Sequence, residues 1–316
     1  MKTSALANPF AEDVMSGLTA SSKSLPSKYF YDDNGSRIFI QIMNMPEYYP
    51  TACELEIVSQ QSGAIAGRLP FRGHFNVIEF GPGDGIKTRH LLKALTEQGA
   101  PFTYIPIDIS QEAIDVLQKN ITNALPGIDM QPETGDYFQA LGDIDNSRPA
   151  LFLFLGGNIG NYKDDEAIAL LQKLYGRMKP GDMLLSGIDL QKHPRVIQKA
   201  YDDPYGITRA FNMNLLIRIN RELDADICLD QFDFYCDYNP QSGEVNSYLV
   251  SLKKQHFHSA LLNTTFHFEK DELIWTELSK KYTPDGISAL AQSAGFTVVH
   301  NFMDCRHYFT DSLWIK

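Results

Sequence analysis

The chain has 316 residues, enough for one large hydrophobic core or two modest ones. Its formal net charge is -11, with 28 Lys and Arg residues against 39 Asp and Glu residues. Because an acidic surface repels phosphate backbones, we expect no nucleic-acid partner and favour a small-molecule substrate.

The cysteine pattern and the hydropathy indicate the compartment. The sequence has four cysteines but no C-x-x-C pair, so we expect no disulfide framework and a reducing setting. The N-terminal residues lack the basic and then apolar layout of a signal peptide, and no apolar run approaches the ~20 residues of a membrane span. We therefore expect a cytoplasmic protein with no membrane partner. No sequence feature suggests an obligate interface, which favours a monomer.

Strands and helices alternate between residues 76 and 188. Apolar segments predict strands over 76–80, 104–109, 151–155 and 183–188. Between them, Leu91, Leu92 and Leu95 share one face of a predicted helix, and further helices are predicted over 111–120 and 164–178. This alternation implies a doubly wound parallel sheet, in which the continuously apolar 151–155 suits a central strand covered on both faces.

The pattern changes between about residues 192 and 280. A polar helix is predicted around 202–220, and alternating polarity predicts strands over 247–253, 263–268 and 273–279. Alternation is typical of an antiparallel sheet with one face solvated or turned to a ligand. A helix over 286–294 and a strand over 296–301 then resume the α/β pattern. We therefore predict one domain from residues 52–191 and 281–316, and a second from residues 1–51 and 192–280.

A glycine-rich turn follows the strand predicted over 76–80. The strand contains the acidic Glu79 and runs into Gly81-Pro82-Gly83-Asp84-Gly85, a G-x-G-x-G pattern. Glycine lets the backbone approach a ligand closely because it carries no side chain. The next residues resemble a phosphate-binding G-x-x-x-x-G-K-[ST] motif, but Ile86 replaces its second glycine. The pattern is typical of enzymes that bind S-adenosylmethionine, although a plain strand-to-helix turn is the alternative.

Two aspartates extend this prediction. Asp108 ends the next strand, where a carboxylate can accept hydrogen bonds from both ribose hydroxyls of a cofactor. Asp136 lies in Gly135-Asp136-Tyr137, where an acidic residue can meet an adenine amino group. Either aspartate alone could instead be a helix cap or a turn residue. The turn and both aspartates in register favour the cofactor.

A family resemblance covers nearly the whole chain. It is carried by residues 24–32 (S-L-P-S-K-Y-F-Y-D), 46–51 (P-E-Y-Y-P-T), 156–161 (G-G-N-I-G-N), 200–203 (A-Y-D-D), 206–212 (G-I-T-x-x-F-N) and 276–280 (T-E-L-S-K). In these stretches the chain resembles the histidine-specific Nα-methyltransferases of ergothioneine biosynthesis. The resemblance implies a Rossmann-like class I methyltransferase sheet with an inserted α+β substrate-binding domain. It also implies S-adenosylmethionine as cofactor and L-histidine as substrate, methylated three times to hercynine.

The resemblance also implies the site residues. Cofactor contacts are expected, besides Gly83 of the turn, at Tyr31, Gly81, Lys87, Asp108, Asp136 and Tyr137. Substrate contacts are expected at Tyr48, Asn161, Tyr201, Ser247, Glu277 and Ser279. Among these, we expect Tyr31, Tyr201 and Asn161 to take part in catalysis. No metal is expected, because His256 and His258 have no nearby cysteine or carboxylate to complete a tetrahedral set.

The residue types suit this chemistry. Glu277 and Ser279 are two apart in a predicted strand, so their side chains share a face and can each engage one imidazole nitrogen. Such a site rejects side chains that leave its polar groups unpaired. Asn161 follows the central strand, and its amide can donate to a substrate carboxylate and accept from an amine. We expect in-line displacement driven by positioning, with Tyr31 or Tyr201 orienting the amine, passing its proton to water or sheltering the cationic product.

One residue departs from the family pattern and keeps alternatives open. The family usually has methionine where this chain has Ser247, which makes the wall beside the imidazole smaller and more polar. The first alternative is therefore methylation of another aromatic amino acid, such as tryptophan or a derivative. Glu277 disfavours it, because burying a carboxylate against an apolar ring is costly. The second alternative is a protein that binds S-adenosylmethionine without turnover.

Overall fold

The structure is a computed structural model that describes residues 8–144 and 147–316. The helices are α1 Pro9–Thr19, α2 Asp33–Met43, α3 Tyr49–Ala66, α4 Thr88–Glu97, α5 Gln111–Ala124, α6 Tyr137–Asp143, α7 Asp164–Arg177, α8 Pro194–Tyr201, α9 Ile207–Glu222 and α10 Pro284–Ala294. The strands are β1 Lys23–Ser24, β2 Phe75–Phe80, β3 Phe102–Asp108, β4 Glu133–Thr134, β5 Ala150–Phe154, β6 Met183–Asp189, β7 Phe232–Asn239, β8 Glu244–Ser251, β9 Gln255–Ser259, β10 Thr264–Phe268, β11 Leu273–Lys280, β12 Thr297–Met303 and β13 Phe309–Ile315.

The chain divides into two compact units. The first unit comprises Met1–Tyr49 and Lys192–Ser279, and the second comprises Pro50–Gln191 and Lys280–Lys316. Within the described ranges, no helix combines the length and the apolar character needed to cross a lipid bilayer.

A seven-stranded sheet forms the centre of the second unit, in the order β12-β13-β6-β5-β2-β3-β4. Strands β2 to β6 pair in parallel, and every residue of β2, β5 and β6 is buried, as expected for strands covered on both faces. The chain runs from β2 outward to β3 and β4 and returns to β5 on the other side of β2. The carboxyl ends of β2 and β5 therefore flank the point where the strand order reverses, which is where ligands bind in such sheets. The Rossmann-like fold class is confirmed.

One edge of this sheet differs from the sequence prediction. Strand β13 was not predicted, and it lies between β6 and β12, antiparallel to both. The strands predicted between 76 and 188 are parallel, and β13 makes the sheet mixed at this edge. Hydrophobic periodicity indicates that a segment is a strand but not its direction, so a C-terminal strand that returns antiparallel gives no separate signal.

The first unit has a four-stranded sheet in the order β1-β11-β8-β7 and a separate β9–β10 hairpin. Strand β1 pairs in parallel with β11, whereas β7 and β8 are antiparallel. Exposure alternates residue by residue along β8, which confirms the half-covered strand predicted there. The helices and the sheet of this unit pack around one buried hydrophobic cluster, which includes Phe10, Tyr29, Phe30 and Phe211.

The polar helix predicted around 202–220 is α9, which begins at Ile207, and half of its residues are buried. Its polar pattern comes partly from two buried asparagines, each of which has a polar partner. Asn212 Oδ1 accepts a hydrogen bond from Thr276 Oγ1 at 2.7 Å, and Asn214 Nδ2 donates to Asp32 Oδ1 at 2.7 Å. A polar residue with a partner can be buried at little cost, but its pattern in sequence resembles that of an exposed face.

A glycine in α2 can be replaced only at a cost in stability. A Cβ on Gly35 would overlap the carbonyl oxygen of Phe30, and a backbone atom cannot turn aside as a side-chain tip can. We expect Gly35→Ala to lower the free energy of unfolding by about 1–3 kcal/mol, the usual cost of overpacking. Gly63→Ala is the control, because no described atom lies within 4 Å of its Cβ position inside α3. The control should gain roughly 0.5–1 kcal/mol from helix propensity. Thermal unfolding of both variants is the measurement, and equal shifts would contradict the prediction.

Candidate active site

The glycine-rich turn at the end of β2 has the backbone that a ligand-binding turn needs. Gly81, Gly83 and Gly85 have φ of 61°, 58° and 73°, in the left-handed region that favours glycine. A Cβ on Gly81 would lie 2.9 Å from the Tyr137 hydroxyl oxygen. A Cβ on Gly83 would meet no described atom within 4 Å, so the turn is open at this residue.

Glu79 precedes the turn and holds it in place through its side chain. Its buried carboxylate accepts hydrogen bonds from Thr88 Oγ1, at the start of α4, and from the Tyr104 hydroxyl on β3. Burial raises the pKa of Glu79 to about 7, against the opposing effect of these two donors. The acidic residue of the motif therefore ties the turn to the neighbouring strand and helix of the second unit.

Asp108 and Tyr137 lie close together beside the turn. Asp108 Oδ1 accepts from the Ser110 amide at 2.9 Å, and burial raises the pKa of Asp108. Burial and then the charge of Asp108 raise the pKa of Tyr137 to about 12. Three of the residues predicted to bind the cofactor, Gly81, Asp108 and Tyr137, are thus grouped at the carboxyl ends of β2 and β3.

Asp136 is the N-cap of α6, the alternative role that the sequence left open. Its Oδ1 accepts from the amides of Phe138 at 3.0 Å and Gln139 at 3.2 Å. Both bonds use the same oxygen, so capping is compatible with a ligand contact through Oδ2. The cofactor contact at Asp136 stays a prediction.

Lys87 is held by a residue that the sequence reasoning missed. Its ammonium group forms an ion pair with Glu54 of α3, which is only 1% exposed. The other oxygen of Glu54 accepts from the Gly156 amide, just after β5, at 2.7 Å. Glu54 therefore connects the turn after β2 with the end of β5. A glutamate in a predicted helix is normally expected to be solvent-exposed, and no local sequence motif indicates that Glu54 is a site residue.

Asn161 ends a short 3₁₀ helix, Asn158–Asn161, that follows β5. Backbone geometry explains why two positions of this motif are glycine. Gly157 has φ of 74°, and a Cβ on Gly160 would lie 2.5 Å from the carbonyl oxygen of Lys280. The half-buried Asn161 thus lies past the carboxyl end of a central strand, as predicted.

The first unit gathers a cluster of polar aromatic side chains. The rings of Tyr48 and Tyr201 are 6.0 Å apart between centroids, and the Tyr201 and Ser279 hydroxyl oxygens are hydrogen-bonded at 3.0 Å. Tyr31 contacts the same group. Burial, followed by the charge of Glu277 and the proximity of Tyr48 and Tyr201, raises its pKa well above the usual value. The fold therefore brings together Tyr31, Tyr48, Tyr201, Glu277 and Ser279, all predicted from the sequence.

Tyr31 is exposed over 48% of its surface. Its ring packs edge-on against Phe39 and Phe211, with centroids 5.4 and 5.6 Å away. The next residue, Asp32, caps α2 by accepting from the Gly35 amide at 2.8 Å and also pairs with Arg221 at 2.7 Å. Packing and capping together determine the direction of the Tyr31 side chain.

Ser247 is buried on β8. Its partner across the strand pair is Cys236, whose thiol contacts the carbonyl oxygen of Tyr201 at 3.5 Å. The Ser247 carbonyl accepts from Thr276 Oγ1, one residue before Glu277 on β11. Ser247 is therefore adjacent to segments that carry site residues, and its contact with substrate stays a prediction.

Comparison with known proteins identifies the family. The sequence profile described as "Histidine-specific methyltransferase, SAM-dependent" matches residues 10–316. The chain is 37% identical over 283 residues to the histidine N-alpha-methyltransferase of Mycobacterium tuberculosis, covering 90% of this chain and 87% of that protein. It is 36% identical over 310 residues to that of Mycolicibacterium smegmatis, covering 98% and 96%.

A more distant relative is named for a different substrate. The L-tryptophan methyltransferase of Psilocybe serbica is 28% identical over 308 residues, covering 90% of this chain and 86% of that protein. The family profile nevertheless spans this chain from α1 to its last strand. The two mycobacterial proteins are more similar to this chain than the Psilocybe protein is. The chain belongs to the family of histidine-specific, S-adenosylmethionine-dependent methyltransferases.

Proposed function

We propose that this protein transfers methyl groups from S-adenosylmethionine to the α-amino group of L-histidine, three times, to give hercynine. The observation that carries the proposal is the grouping of Glu277 and Ser279 with three tyrosines in the first unit. A carboxylate and a hydroxyl beside aromatic rings match an imidazole, which offers two polar nitrogens on an otherwise apolar ring.

The second unit offers a site that fits the cofactor. The open turn at Gly83 and the group formed by Gly81, Asp108 and Tyr137 leave a polar, glycine-lined surface at the carboxyl ends of two strands. Asp108 would accept from the ribose hydroxyls, and Lys87 would pair with the carboxylate of the cofactor. Bound S-adenosylmethionine supplies a methyl group on a positively charged sulfur. Asp136 completes the proposed set in this unit, and the cofactor contact expected at Tyr31 of the first unit stays a prediction.

The side chains of the first unit would position the substrate. Glu277 would accept from one imidazole N–H, and Ser279, already hydrogen-bonded to Tyr201, would engage the other nitrogen. Tyr31 or Tyr201 would orient the neutral amine or pass its proton to water. Positioning of the two reactants would provide most of the rate. The aromatic rings would also shelter the cationic product. Asn161 would bind the carboxylate and the amine of the substrate.

We further propose that the first unit is the substrate-binding domain and that the protein acts as a cytoplasmic monomer. All four cysteines are free thiols, which suits a reducing compartment. A single species at the monomer mass, 35.6 kDa, in light scattering after gel filtration would support the monomer.

The proposal is tested by supplying the purified protein with S-adenosylmethionine and an equimolar mixture of the common amino acids. Mass spectrometry should find histidine alone shifted, by up to three methyl groups. A shift of tryptophan with histidine unchanged would show instead that the pocket around Ser247 accepts a different ring. Tight binding of S-adenosylmethionine without any methylated product would favour the non-catalytic alternative.

A further inference from the structure

Two buried carboxyl groups and a partly exposed ammonium group lie next to the glycine-rich turn of the second unit. They belong to Glu54, Lys87 and Asp311, from α3, the loop before α4, and β13. Asp311 is fully buried. On the neighbouring strand it faces Gly187, where a Cβ would overlap the carboxylate of Glu54. Glycine at this position therefore allows two acidic side chains to approach each other over the sheet.

Asp311 and Glu54 are two buried carboxyl groups that lie side by side. Within residues 8–144 and 147–316, neither oxygen of Asp311 receives a hydrogen bond from an N–H group or a hydroxyl. Its carboxyl group lies against Glu54, and burial followed by the charge of Glu54 raises the pKa of Asp311 well above its usual value. Burial and the charge of Glu54 favour the protonated form of Asp311, which can donate a hydrogen bond to Glu54.

That charge keeps Lys87 protonated. Burial lowers the pKa of Lys87, but the opposing effects, of which the charge of Glu54 is the largest, leave it raised overall. Glu79 and, in its ionised form, Asp311 act in the same direction. The ammonium nitrogen lies 3.7 Å from the Cβ position of Gly156, whose amide donates to Glu54. Glu54 thus holds both a cation and a backbone amide between the ends of β2 and β5.

We propose that Glu54, supported by the hydrogen bond from Asp311, is a positioning residue for the cofactor. It keeps the ammonium group of Lys87 charged and directed toward the anionic end of S-adenosylmethionine, its only carboxylate. The inference rests on the proposed placement of the cofactor at this turn. Glu54 acts through Lys87 and the Gly156 amide and needs no contact with the ligand.

The pH dependence of cofactor affinity tests this role. We would measure the Kd for S-adenosylmethionine by calorimetry between pH 8 and 9.5, above the pKa of about 7 of Glu79, for the wild type, Glu54→Gln, Lys87→Met and the double variant. The wild type should bind with a nearly constant Kd. In Glu54→Gln the ammonium loses its strongest compensating charge and keeps only Glu79 and Asp311 beside it, so its pKa should fall and binding should weaken by about tenfold as the pH rises across this range. Lys87→Met should bind weakly at every pH, and adding Glu54→Gln should change its Kd little.

Asp311 provides a second, independent test. Asp311→Ala removes the donor beside Glu54 and should weaken binding, whereas Asp311→Asn keeps a donor of the same shape and should restore most of the affinity. Melting temperatures of all variants identify any that fail to fold. A Glu54→Gln variant with the flat pH profile of the wild type, or one that loses equal affinity with and without Lys87, would overturn the inference. Absence of binding by the wild type would overturn the proposed cofactor site itself, and it would be seen before any variant is made.

Discussion

Glu277→Ala is expected to lower kcat/KM for histidine by about 10²–10³-fold while leaving the cofactor Kd unchanged. Removing a charged hydrogen-bond partner costs about 1.5–3 kcal/mol, and leaving the imidazole N–H unsatisfied adds to this. Together they give about 3–4 kcal/mol, which corresponds to the stated range. Glu277 lies on a half-buried strand face with Ser279, so the melting temperature should change little. Initial rates of S-adenosylhomocysteine release at varied histidine concentration are the measurement.

The control for this variant removes the same charge elsewhere in the same unit. Glu269 is exposed after β10 and pairs with Lys254, so Glu269→Ala should keep the wild-type kcat/KM.

Selectivity between histidine and tryptophan is a second observable for Glu277→Ala. Without the carboxylate, an apolar ring no longer meets a buried charge, so the ratio of kcat/KM for histidine to that for tryptophan should fall. If Glu277→Ala methylated histidine at the wild-type rate, the imidazole would bind elsewhere and the proposed substrate site would be wrong.

The site residues that could be predicted from the sequence carry local or family-specific signals. Gly81 and Gly83 lie in a short turn whose glycines have positive φ, so the spacing of the glycines in the sequence indicates the backbone conformation of the turn. Glu277 and Ser279 are separated by the two-residue period of a strand, which places them on one face wherever the strand lies. Tyr48 and Tyr201 carry no such signal. Their role came from the family resemblance, and the structure brings them together.

The residues that could not be predicted depend on contacts distant in sequence. Glu54 meets Lys87, Gly156 and Asp311 only because α3 and β13 are brought to the same part of the second unit. In sequence, Glu54 is an ordinary helical glutamate and Asp311 an ordinary aspartate near the C-terminus. Charged residues are almost never fully buried without partners, so their burial follows from three-dimensional pairing that no periodicity encodes.

Strand β13 illustrates the same limit for the fold. Its residues 309–315 are nearly all buried, yet the segment is short and follows a turn at 304–308. Parallel strands could be predicted because helices separate them at regular spacing. An antiparallel strand between β6 and β12 breaks that regularity. Its position follows only from its pairing with β6, more than a hundred residues earlier in the chain, and with β12, which directly precedes it.

Asp108→Ala is expected to raise the Kd for S-adenosylmethionine by about 100-fold. Two charge-assisted hydrogen bonds to ribose hydroxyls would be lost, and about 3 kcal/mol is a reasonable net cost for the pair. Asp115→Ala is the matched control, because this exposed aspartate of α5 bonds only to neighbouring Gln111 among the contacts of its side chain described here. The control should bind S-adenosylmethionine as the wild type does. Calorimetric titration measures both.

The wild type should also lose cofactor affinity as the pH falls, in a way that depends on Asp108. Burial raises the pKa of its carboxyl group above the usual value, so protonation begins at a higher pH than for an exposed aspartate. The protonated group accepts hydrogen bonds more weakly, so affinity is full above the raised pKa and falls as the pH drops through it. Asp108→Asn cannot titrate and should therefore bind weakly with a flat profile over the same acidic range. A profile in Asp108→Asn that still falls with the wild-type midpoint would assign the titration to another group and remove Asp108 from the ribose contact.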